Sequence, residues 1–310
     1  MRSADVLLTG EYYCDLIFAG LPGVPRLGAE LVASDLAVLP GGTYNIALAL
    51  TRLGLDTHWA VDFGSDLFSG LVLEQAARDG LSPSLFNRLD QPLRRVTSVF
   101  SSGGDRGFLT YGDGAIVPPP AGTLDKVRPT WLLQTFRFEP EWLAFMRAAK
   151  ERGAKLFADC RGGDFTLETP GVREFLSLLD VFSPNEGEAM ALTGMHHPAK
   201  AAAQLAELVP IVAIKRGAAG ALVSDRGRWI KVAAPEVVVK DTTGAGDTFN
   251  GGFLLGLCSG RCTEEAAELA VLAGSLSVTD YGALAAPTLN ALKKFAAEHG
   301  RGKMFLETAS

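Results

Sequence analysis

The sequence predicts an α/β protein with a mostly parallel central sheet, flanked by helices, and a small β-lid. Short β-branched segments alternate with helical segments along most of the 310 residues, which is typical of a parallel sheet covered on both faces. Residues 11–40 and 93–117 break this alternation, because they are rich in Gly, aromatic and β-branched residues. Ligands of such sheets bind beyond the carboxyl ends of the strands, so we looked for functional motifs there.

The core elements are predicted in chain order. The first strand covers residues 6–9, and the first helix covers residues 45–53 and ends at Gly54. Short apolar runs predict further strands at 156–159, 181–183, 211–215 and 221–224. Apolar periodicity predicts further helices at 199–208, 247–257 and 264–279.

The β-lid is predicted from the two segments that lack a helical period. Residues 96–101 and 107–111 have the pattern of a hairpin around Gly103 and Gly104. The three prolines at 118–120 then form a stiff return to the core. The predicted domains are a core of residues 1–10, 41–92 and 118–310 and a lid of residues 11–40 and 93–117.

Composition argues against several classes of function. Apolar residues make up 47% of the chain and charged residues 21%, as in ordinary globular proteins. The net charge of −6, without a cluster of Lys and Arg, argues against nucleic-acid binding. The chain begins without the apolar core of a signal peptide, has no run of about 20 apolar residues, and carries scattered cysteines. We therefore expect a cytoplasmic protein that does not bind membranes.

The stretch from Asp241 to Asp247, which reads D-T-T-G-A-G-D, carries the strongest chemical signal. Its glycines allow backbone N–H groups to close on an oxyanion, and the helix behind them contributes partial positive charge. Asp247 is then placed to accept the proton of an attacking hydroxyl. The structural alternative is a Gly-rich turn that caps a helix. Two carboxylates bracketing T-T-G-A-G favour phosphoryl transfer.

Two further motifs lie near the start of the predicted lid. Asp15 follows the first strand and can accept hydrogen bonds from two hydroxyls at once; alternatively, it caps its own turn. In P-G-G-T-Y-N, residues 40–45, Gly41 and Gly42 permit close backbone approach to a ligand, and Asn45 offers both a donor and an acceptor. Both motifs fit the binding of a polyol.

Two more motifs follow core strands. In S-P-N-E-G-E, residues 183–188, Ser183 and Glu186 fit a simple capping box at the start of a helix. Lys215 ends a strand, where it either reaches a phosphate or lies on the surface. Asp159 and Arg161 either form an ion pair or contact the substrate.

Together these motifs resemble the ribokinase-like (pfkB) family of carbohydrate and nucleoside kinases, and the resemblance covers essentially the whole chain. The catalytic residues that it implies are Asp247 as the base, Gly244, Ala245 and Gly246 as the anion hole, and Asp241 with Thr243 at a monovalent-cation site. The family fold is a large α/β core with a β-lid over the sugar site, which agrees with the division predicted above.

The resemblance also implies ligand contacts. The substrate is expected at Asp15, Gly41, Gly42 and Asn45, the nucleotide at Asn185, Lys215, Gly217, Gly220 and Gly282, and Mg²⁺, largely through water, at Glu188 and Asn185. One departure from the family pattern is that two residues, instead of three, separate the paired glycines from Asn45.

We therefore expect a kinase that uses ATP and Mg²⁺, with K⁺ as an activator, to phosphorylate a hydroxyl of a small sugar or related polyol. One alternative is a nucleoside kinase, in which Tyr12, Tyr13, Phe108 or Tyr111 would form the slot for the base. Another is a sugar-binding regulator without catalysis. Exposed lid strands favour a homodimer that pairs through the lid.

Overall fold

A computed structural model of the protein describes residues 2–102, 105–282 and 285–305. Its strands are β1 (Arg2–Thr9), β2 (Tyr12–Ala19), β3 (Asp35–Gly42), β4 (Thr57–Phe63), β5 (Phe86–Arg88), β6 (Arg95–Ser102), β7 (Asp105–Gly112), β8 (Val127–Thr135), β9 (Lys155–Asp159), β10 (Val181–Ser183), β11 (Ile211–Lys215), β12 (Ala221–Asp225) and β13 (Arg228–Val232). Its helices are α1 (Thr43–Arg52), α2 (Leu67–Arg78), α3 (Thr123–Lys126), α4 (Pro140–Glu151), α5 (Val172–Leu178), α6 (Glu186–Thr193), α7 (Pro198–Ala206), α8 (Ala245–Cys258), α9 (Thr263–Ser277) and α10 (Leu289–Glu298).

A nine-stranded sheet in the order β13-β12-β11-β10-β9-β8-β1-β4-β5 forms the core. All neighbouring strands from β11 to β5 are parallel, and β12 and β13 add an antiparallel edge. The central strands are apolar on both faces, as a parallel sheet covered by helices requires. The predicted fold class is therefore confirmed.

The core elements predicted from the sequence are confirmed with small shifts at their ends. The helix predicted at 45–53 is α1, which begins two residues earlier, and the strand at 181–183 coincides with β10. The helix predicted at 247–257 is α8, which begins at Ala245. Helix ends are commonly uncertain by one or two residues, so these shifts leave the topology unchanged.

Helices cover both faces of the core sheet. Residues from α1, α2, α8, α9 and α10 share one apolar cluster, and residues from α3 to α7 share the other. Helix α8 packs closely against its neighbours because a Cβ at Gly252 would lie 2.7 Å from the carbonyl oxygen of Leu269, and one at Gly256 would lie 2.5 Å from the Cα of Ala266. These two glycines let the backbones of α8 and α9 approach closely.

A second, four-stranded sheet has the order β3-β2-β6-β7. We call it the small sheet. Its strands come from the two segments that the sequence predicts as a lid, and the hairpin of β6 and β7 lies where it was expected. Its turn at Gly103 and Gly104 lies outside the described residues. That this sheet acts as a lid stays a prediction.

The small sheet has two different faces because successive side chains of a strand alternate. One face, which we call the inner face, carries Asp15 and Thr97, whose side chains form a hydrogen bond. The other, outer face is largely apolar. Within the described ranges, no helix combines the length and the apolarity needed to cross a membrane.

Candidate active site

The first turn of α8 carries the predicted base. Gly244 precedes the helix with a φ of +75°, a left-handed conformation that favours glycine, and no side chain caps the helix N-terminus. Asp247 lies in this turn and is only partly exposed. An uncapped helix N-terminus leaves backbone N–H groups available for an anion. The arrangement fits an anion hole beside a carboxylate.

Lys215 lies against this turn. A Cβ at Gly246 would stand 3.5 Å from Lys215 Nζ, and the ammonium group donates a hydrogen bond of 2.6 Å to Asp159. The Lys215 side chain is only 14% exposed. Of the two interpretations that the sequence left open, the surface position is therefore wrong. Asp159 is paired with Lys215, and Arg161 donates instead to the carbonyl of Phe136.

The charges of this cluster change the proton affinity of Asp247. Burial and the nearby Asp159 raise the pKa of Asp247 to about 7, although Lys215 and a hydrogen bond from Asn45 act in the opposite direction. Burial lowers the pKa of Lys215, but Asp159, Glu188 and Asp247 outweigh that effect and raise it. Asp247 can therefore exchange a proton near neutral pH, and Lys215 stays charged.

Asp15 lies in β2 of the small sheet, and Asn45 lies in the helix that directly follows β3. Asn45 lies in the first turn of α1, where its side chain reaches Asp247. A Cβ at Gly41 would lie 2.1 Å from Asp15 Oδ2, so only glycine leaves room for that carboxylate. Burial raises the pKa of Asp15 to about 6, against a hydrogen bond from Thr97. The shortened spacing thus still brings Gly41 to Asp15 and Asn45 to Asp247.

Asn185 and Glu188 form the capping box of α6. The Asn185 side chain accepts a hydrogen bond from the Glu188 amide, and Glu188 accepts one from the Asn185 amide. The alternative capping box of Ser183 and Glu186 is therefore wrong. Ser183 is turned into the core, where it donates to Asn250 Oδ1, and Glu186 pairs with Arg216.

The pairing of strand ends brings Glu188 towards Lys215. The backbone of Lys215 bonds to Pro184 and pairs with Asn185, which places the ends of β10 and β11 side by side. Burial raises the pKa of Glu188, and Lys215 and the amide of Asn185 partly oppose that change. Glu188 is therefore part of the charge cluster that surrounds Lys215.

Asp241 fixes the loop ahead of α8. One carboxylate oxygen accepts hydrogen bonds from the amide and hydroxyl of Thr243, and the other accepts one from the Gly282 amide. Asp241 therefore ties the loop before α8 to the segment that follows α9. Ala283, which the sequence also places in this region, lies outside the described residues.

One of the two glycines in the turn after β11, Gly220, is required by the fold. Gly217 begins a single helical turn that ends at Ala219, directly after Lys215 and Arg216. A Cβ at Gly220 would stand 2.0 Å from the carbonyl oxygen of Val232, and Gly220 has a φ of +82°. The fold requires glycine at position 220 without any ligand. Nucleotide contact at Gly217 and Gly220 stays a prediction.

Comparison with known proteins decides the family. The model of the pfkB family of carbohydrate kinases matches residues 28–289. The chain belongs to this family. It is 27% identical to the ribokinase of Arabidopsis thaliana over 91% of this chain and 78% of that protein. It is 30% identical to the aminoimidazole riboside kinase of Salmonella typhimurium over 84% of this chain and 88% of that protein.

A solved structure extends the match to three dimensions. The Arabidopsis thaliana ribokinase complexed with ribose and ATP superimposes with a TM-score of 0.82 at 25% identity. The match covers 95% of this chain and 99% of that one. The protein is thus a pfkB kinase of the sugar and nucleoside type, a phosphotransferase. Its relatives act on different acceptors, so the family alone does not identify the substrate.

Two tyrosines near the predicted substrate motifs of this pfkB kinase belong to the core, and one of them, Tyr12, was predicted as a contact for a nucleoside base. Tyr12 is fully buried, stacks on Phe63 and bonds to Ser69. Tyr44, inside the P-G-G-T-Y-N motif, is also fully buried and donates to Asp79. Neither tyrosine is available to line a slot for a nucleoside base.

Several site residues were not identified by the motifs. Thr97 and Arg95 of β6 lie on the inner face of the small sheet, and Glu11 forms a buried ion pair of 2.5 Å with Arg137. Nothing in the neighbouring sequence of Arg137 indicates its partner, which lies 126 positions earlier. The alternation along β6 could have indicated that Arg95 and Thr97 share a face.

Proposed function

We propose that the protein transfers the γ-phosphoryl group of ATP to a hydroxyl of a small sugar or related polyol. The observation that carries this proposal is Asp247 at the uncapped N-terminus of α8, with Lys215 and Asn45 against it. Asp247 as the proton acceptor, the N-terminus of α8 as the anion hole and Lys215 as a fixed positive charge thus lie together. Phosphoryl transfer requires this combination.

Each residue then has one task. Asp15, beside Gly41, accepts hydrogen bonds from acceptor hydroxyls and orients the molecule. Asp247 takes the proton of the reacting hydroxyl as the hydroxyl oxygen forms the new bond to phosphorus. The amides of Gly244, Ala245 and Gly246 and the ammonium of Lys215 stabilise the negative charge of the transferring group. Asn45 keeps the base in place.

The charge cluster fits a nucleotide with its divalent cation. ATP supplies the phosphoryl group, and Mg²⁺ offsets phosphate charge when both are bound. Three carboxylates, Asp159, Glu188 and Asp247, surround one ammonium at Lys215. In the described part of the chain, no three His, Cys, Asp or Glu side chains form a ready metal site. We therefore assign Glu188, with Asn185, to Mg²⁺ through water, which Mg²⁺ usually retains.

The remaining ligand assignments rest on position. Gly217, Gly220 and Gly282 would border the nucleotide, and Asp241 with Thr243 would hold K⁺. The K⁺ assignment is supported by the hydrogen bonds of Asp241, which join the loop before α8 to the segment that follows α9. These two segments would border the ion. Equal rates in K⁺ and tetramethylammonium buffers would exclude an activating role. A cytoplasmic location also stays a prediction.

A nucleoside acceptor is the second candidate. Phe108 lies on the inner face of the small sheet opposite Val99, and 65% of its surface is exposed. With Tyr13 on the same face, it could cover a base. Tyr111 does not share this role, because it lies on the outer face and donates to Asp113. The intact Asp247 cluster argues against the third candidate, a regulator without catalysis.

The outer face of the small sheet supports a homodimer. Leu36, Val38, Leu109 and Tyr111 are between 43% and 72% exposed on this face, and apolar patches of this kind mark interaction surfaces. We expect light scattering to show a dimer that the double substitution Leu36→Glu and Leu109→Glu converts to a monomer. A wild-type monomer at micromolar concentration would contradict this assignment.

Coupled ADP release tests the kinase proposal. Wild type and Asp247→Asn would be measured with Mg²⁺-ATP over neutral sugars, sugar acids, sugar phosphates and nucleosides. We expect turnover on one acceptor class and a loss of roughly 10² to 10⁴ in the mutant, as for removal of a general base. Thermal shift with Mg²⁺-ATP controls for binding. Near-normal turnover of Asp247→Asn would overturn the role of Asp247, and binding without any turnover would favour a regulator.

A further inference from the structure

A buried arginine lies where the small sheet meets the core. Arg95 opens β6 and is only 4% exposed. It lines a cavity of about 530 Å³, together with Glu11 at the end of β1, Asn87 of β5, and Trp142 of α4. The part of its surface that is still accessible therefore faces this cavity.

Arg95 has no anionic partner in the part of the chain that the structure describes. Its guanidinium carbon lies 5.7 Å from the centroid of the Tyr12 ring. The preceding residue, Arg94, is exposed and pairs with Asp113 at 2.8 Å, and the buried Arg137 pairs with Glu11. A buried charge without a counterion is costly. An anionic ligand would supply the counterion that Arg95 lacks.

The position of Arg95 connects it to the acceptor site. Strands β2 and β6 pair in parallel with Asp15 opposite Thr97, and the Thr97 side chain is close enough to lower the pKa of Asp15. Arg95 is two residues before Thr97 and so shares its face, roughly 7 Å along the strand. A small sugar chain that Asp15 holds by its hydroxyls spans a comparable length. Arg95 can therefore bind the far end of the same molecule.

The surroundings of Tyr13 support this connection. Tyr13 lies on the inner face, two residues before Asp15. Burial raises the pKa of Tyr13, with Glu11 acting in the same direction and Arg95, Arg137 and Arg161 against it. Three arginines and one glutamate thus lie within electrostatic range of this tyrosine, and the glutamate, Glu11, is already paired with Arg137.

We infer that the acceptor carries an anionic group, a carboxylate or a phosphate, which Arg95 binds at the end remote from the hydroxyl that is phosphorylated. This inference rests on the proposed kinase function. An arginine fork holds both anions well, because it donates two parallel hydrogen bonds to either. Arg95 is thus a specificity residue for the substrate, and Asp247 carries the chemistry.

The test compares acceptors of equal carbon-chain length in the ADP-release assay: neutral sugars, aldonic and 2-keto aldonic acids, and sugar phosphates. We expect wild type to prefer one anionic class over the neutral sugars by tenfold or more in kcat/KM. A preference of this size corresponds to about one charged hydrogen bond. Arg95→Met should raise the KM for that acceptor by about 10- to 100-fold, with a smaller change in kcat and an unchanged KM for ATP.

Arg94→Met is the matched control, because Arg94 is exposed and paired with Asp113, and it should keep the preference. If Arg95→Met does not fold, thermal shift of the wild type replaces it, and only the anionic acceptors should raise the melting temperature. Equal or better turnover of neutral sugars, or an Arg95→Met enzyme that keeps the anionic preference, overturns the inference and leaves the kinase function intact. If no acceptor gives turnover or a thermal shift, both the inference and the proposed kinase function are overturned.

Discussion

The two halves of the candidate site are built in different ways. The phosphoryl side comes from the first turn of α8 and the ends of β9, β10 and β11, where Asp247, Lys215 and Asp159 lie in one cluster. The acceptor side comes from the small sheet and its connections, where Asp15, Thr97 and Arg95 approach one another from distant segments. The first half belongs to the shared family motif, and the second half contains what distinguishes this member.

This difference explains why a match to the family identifies the reaction and leaves the acceptor open. Phosphoryl transfer needs the same charges whatever the acceptor is, so one contiguous motif suffices for it. Acceptor choice depends on differences in binding between molecules. We propose that those differences arise on the inner face of the small sheet, which carries the buried Arg95.

Apart from substitution of Asp247 itself, Lys215→Met should have the largest effect, and it tests the phosphoryl side. Because Lys215 lies against Gly246 in the proposed anion hole, we expect kcat to fall roughly 100-fold, as for the loss of one oxyanion donor. The KM for the acceptor should change little. Arg216→Met is the control, since Arg216 pairs with Glu186 outside this cluster. A loss confined to the KM for ATP would show that Lys215 only binds the nucleotide.

Gly41→Ala should act on the acceptor side. The new Cβ would overlap Asp15 Oδ2, which lies 2.1 Å away, and would displace the carboxylate. We expect the KM for the acceptor to rise about tenfold, corresponding to one impaired charged hydrogen bond, and kcat to fall less. Gly70→Ala is the control, because nothing lies within 4 Å of a Cβ at that position. An unchanged KM in Gly41→Ala would remove Asp15 from the acceptor site.

The smallest expected effect is a shift in pH dependence. The pKa of Asp247 is raised to about 7, and the base works only when it is deprotonated, so kcat/KM should fall as the pH drops below that value. Asp159 helps to raise this pKa, and Asp159→Asn should therefore move the acid limb to lower pH by about one unit. Lys215→Met should move it to higher pH. Profiles of kcat/KM between pH 5 and 9 measure both shifts. If the acid limb moved in the same direction in the two variants, its assignment to Asp247 would be contradicted.

The sequence predicted the phosphoryl side better than the acceptor side for a physical reason. The catalytic turn is contiguous, and its glycines and carboxylates are readable from their spacing. Two local patterns overlapped at the start of α6, S-x-x-E and N-x-x-E. The reciprocal hydrogen bonds of Asn185 and Glu188, with Ser183 turned into the core, decide between them. The Asp159–Lys215 pair joins residues 56 positions apart, a contact that only the order of the strands creates.

Arg94 and Arg95 show the same limit within two residues. They are chemically identical and adjacent, yet Arg94 is exposed and paired, whereas Arg95 is buried and has no ion-pair partner among the residues that the structure describes. The alternation of β6 predicts that they face opposite sides, but it does not say which side meets the core. That choice is made by the pairing of β6 with β2, which brings Thr97 to Asp15.

Strand β3 continues into α1 without a connecting residue, since Gly42 ends the strand and Thr43 begins the helix. Both the amide and the hydroxyl of Thr43 are bonded to the carbonyl of Glu11, so this junction is pinned to the core at one point. The small sheet and α1 therefore share one anchoring point next to Gly42. Asn45 lies two residues after this junction and lowers the pKa of Asp247, so the last strand of the small sheet and a residue that tunes the base are anchored at the same point.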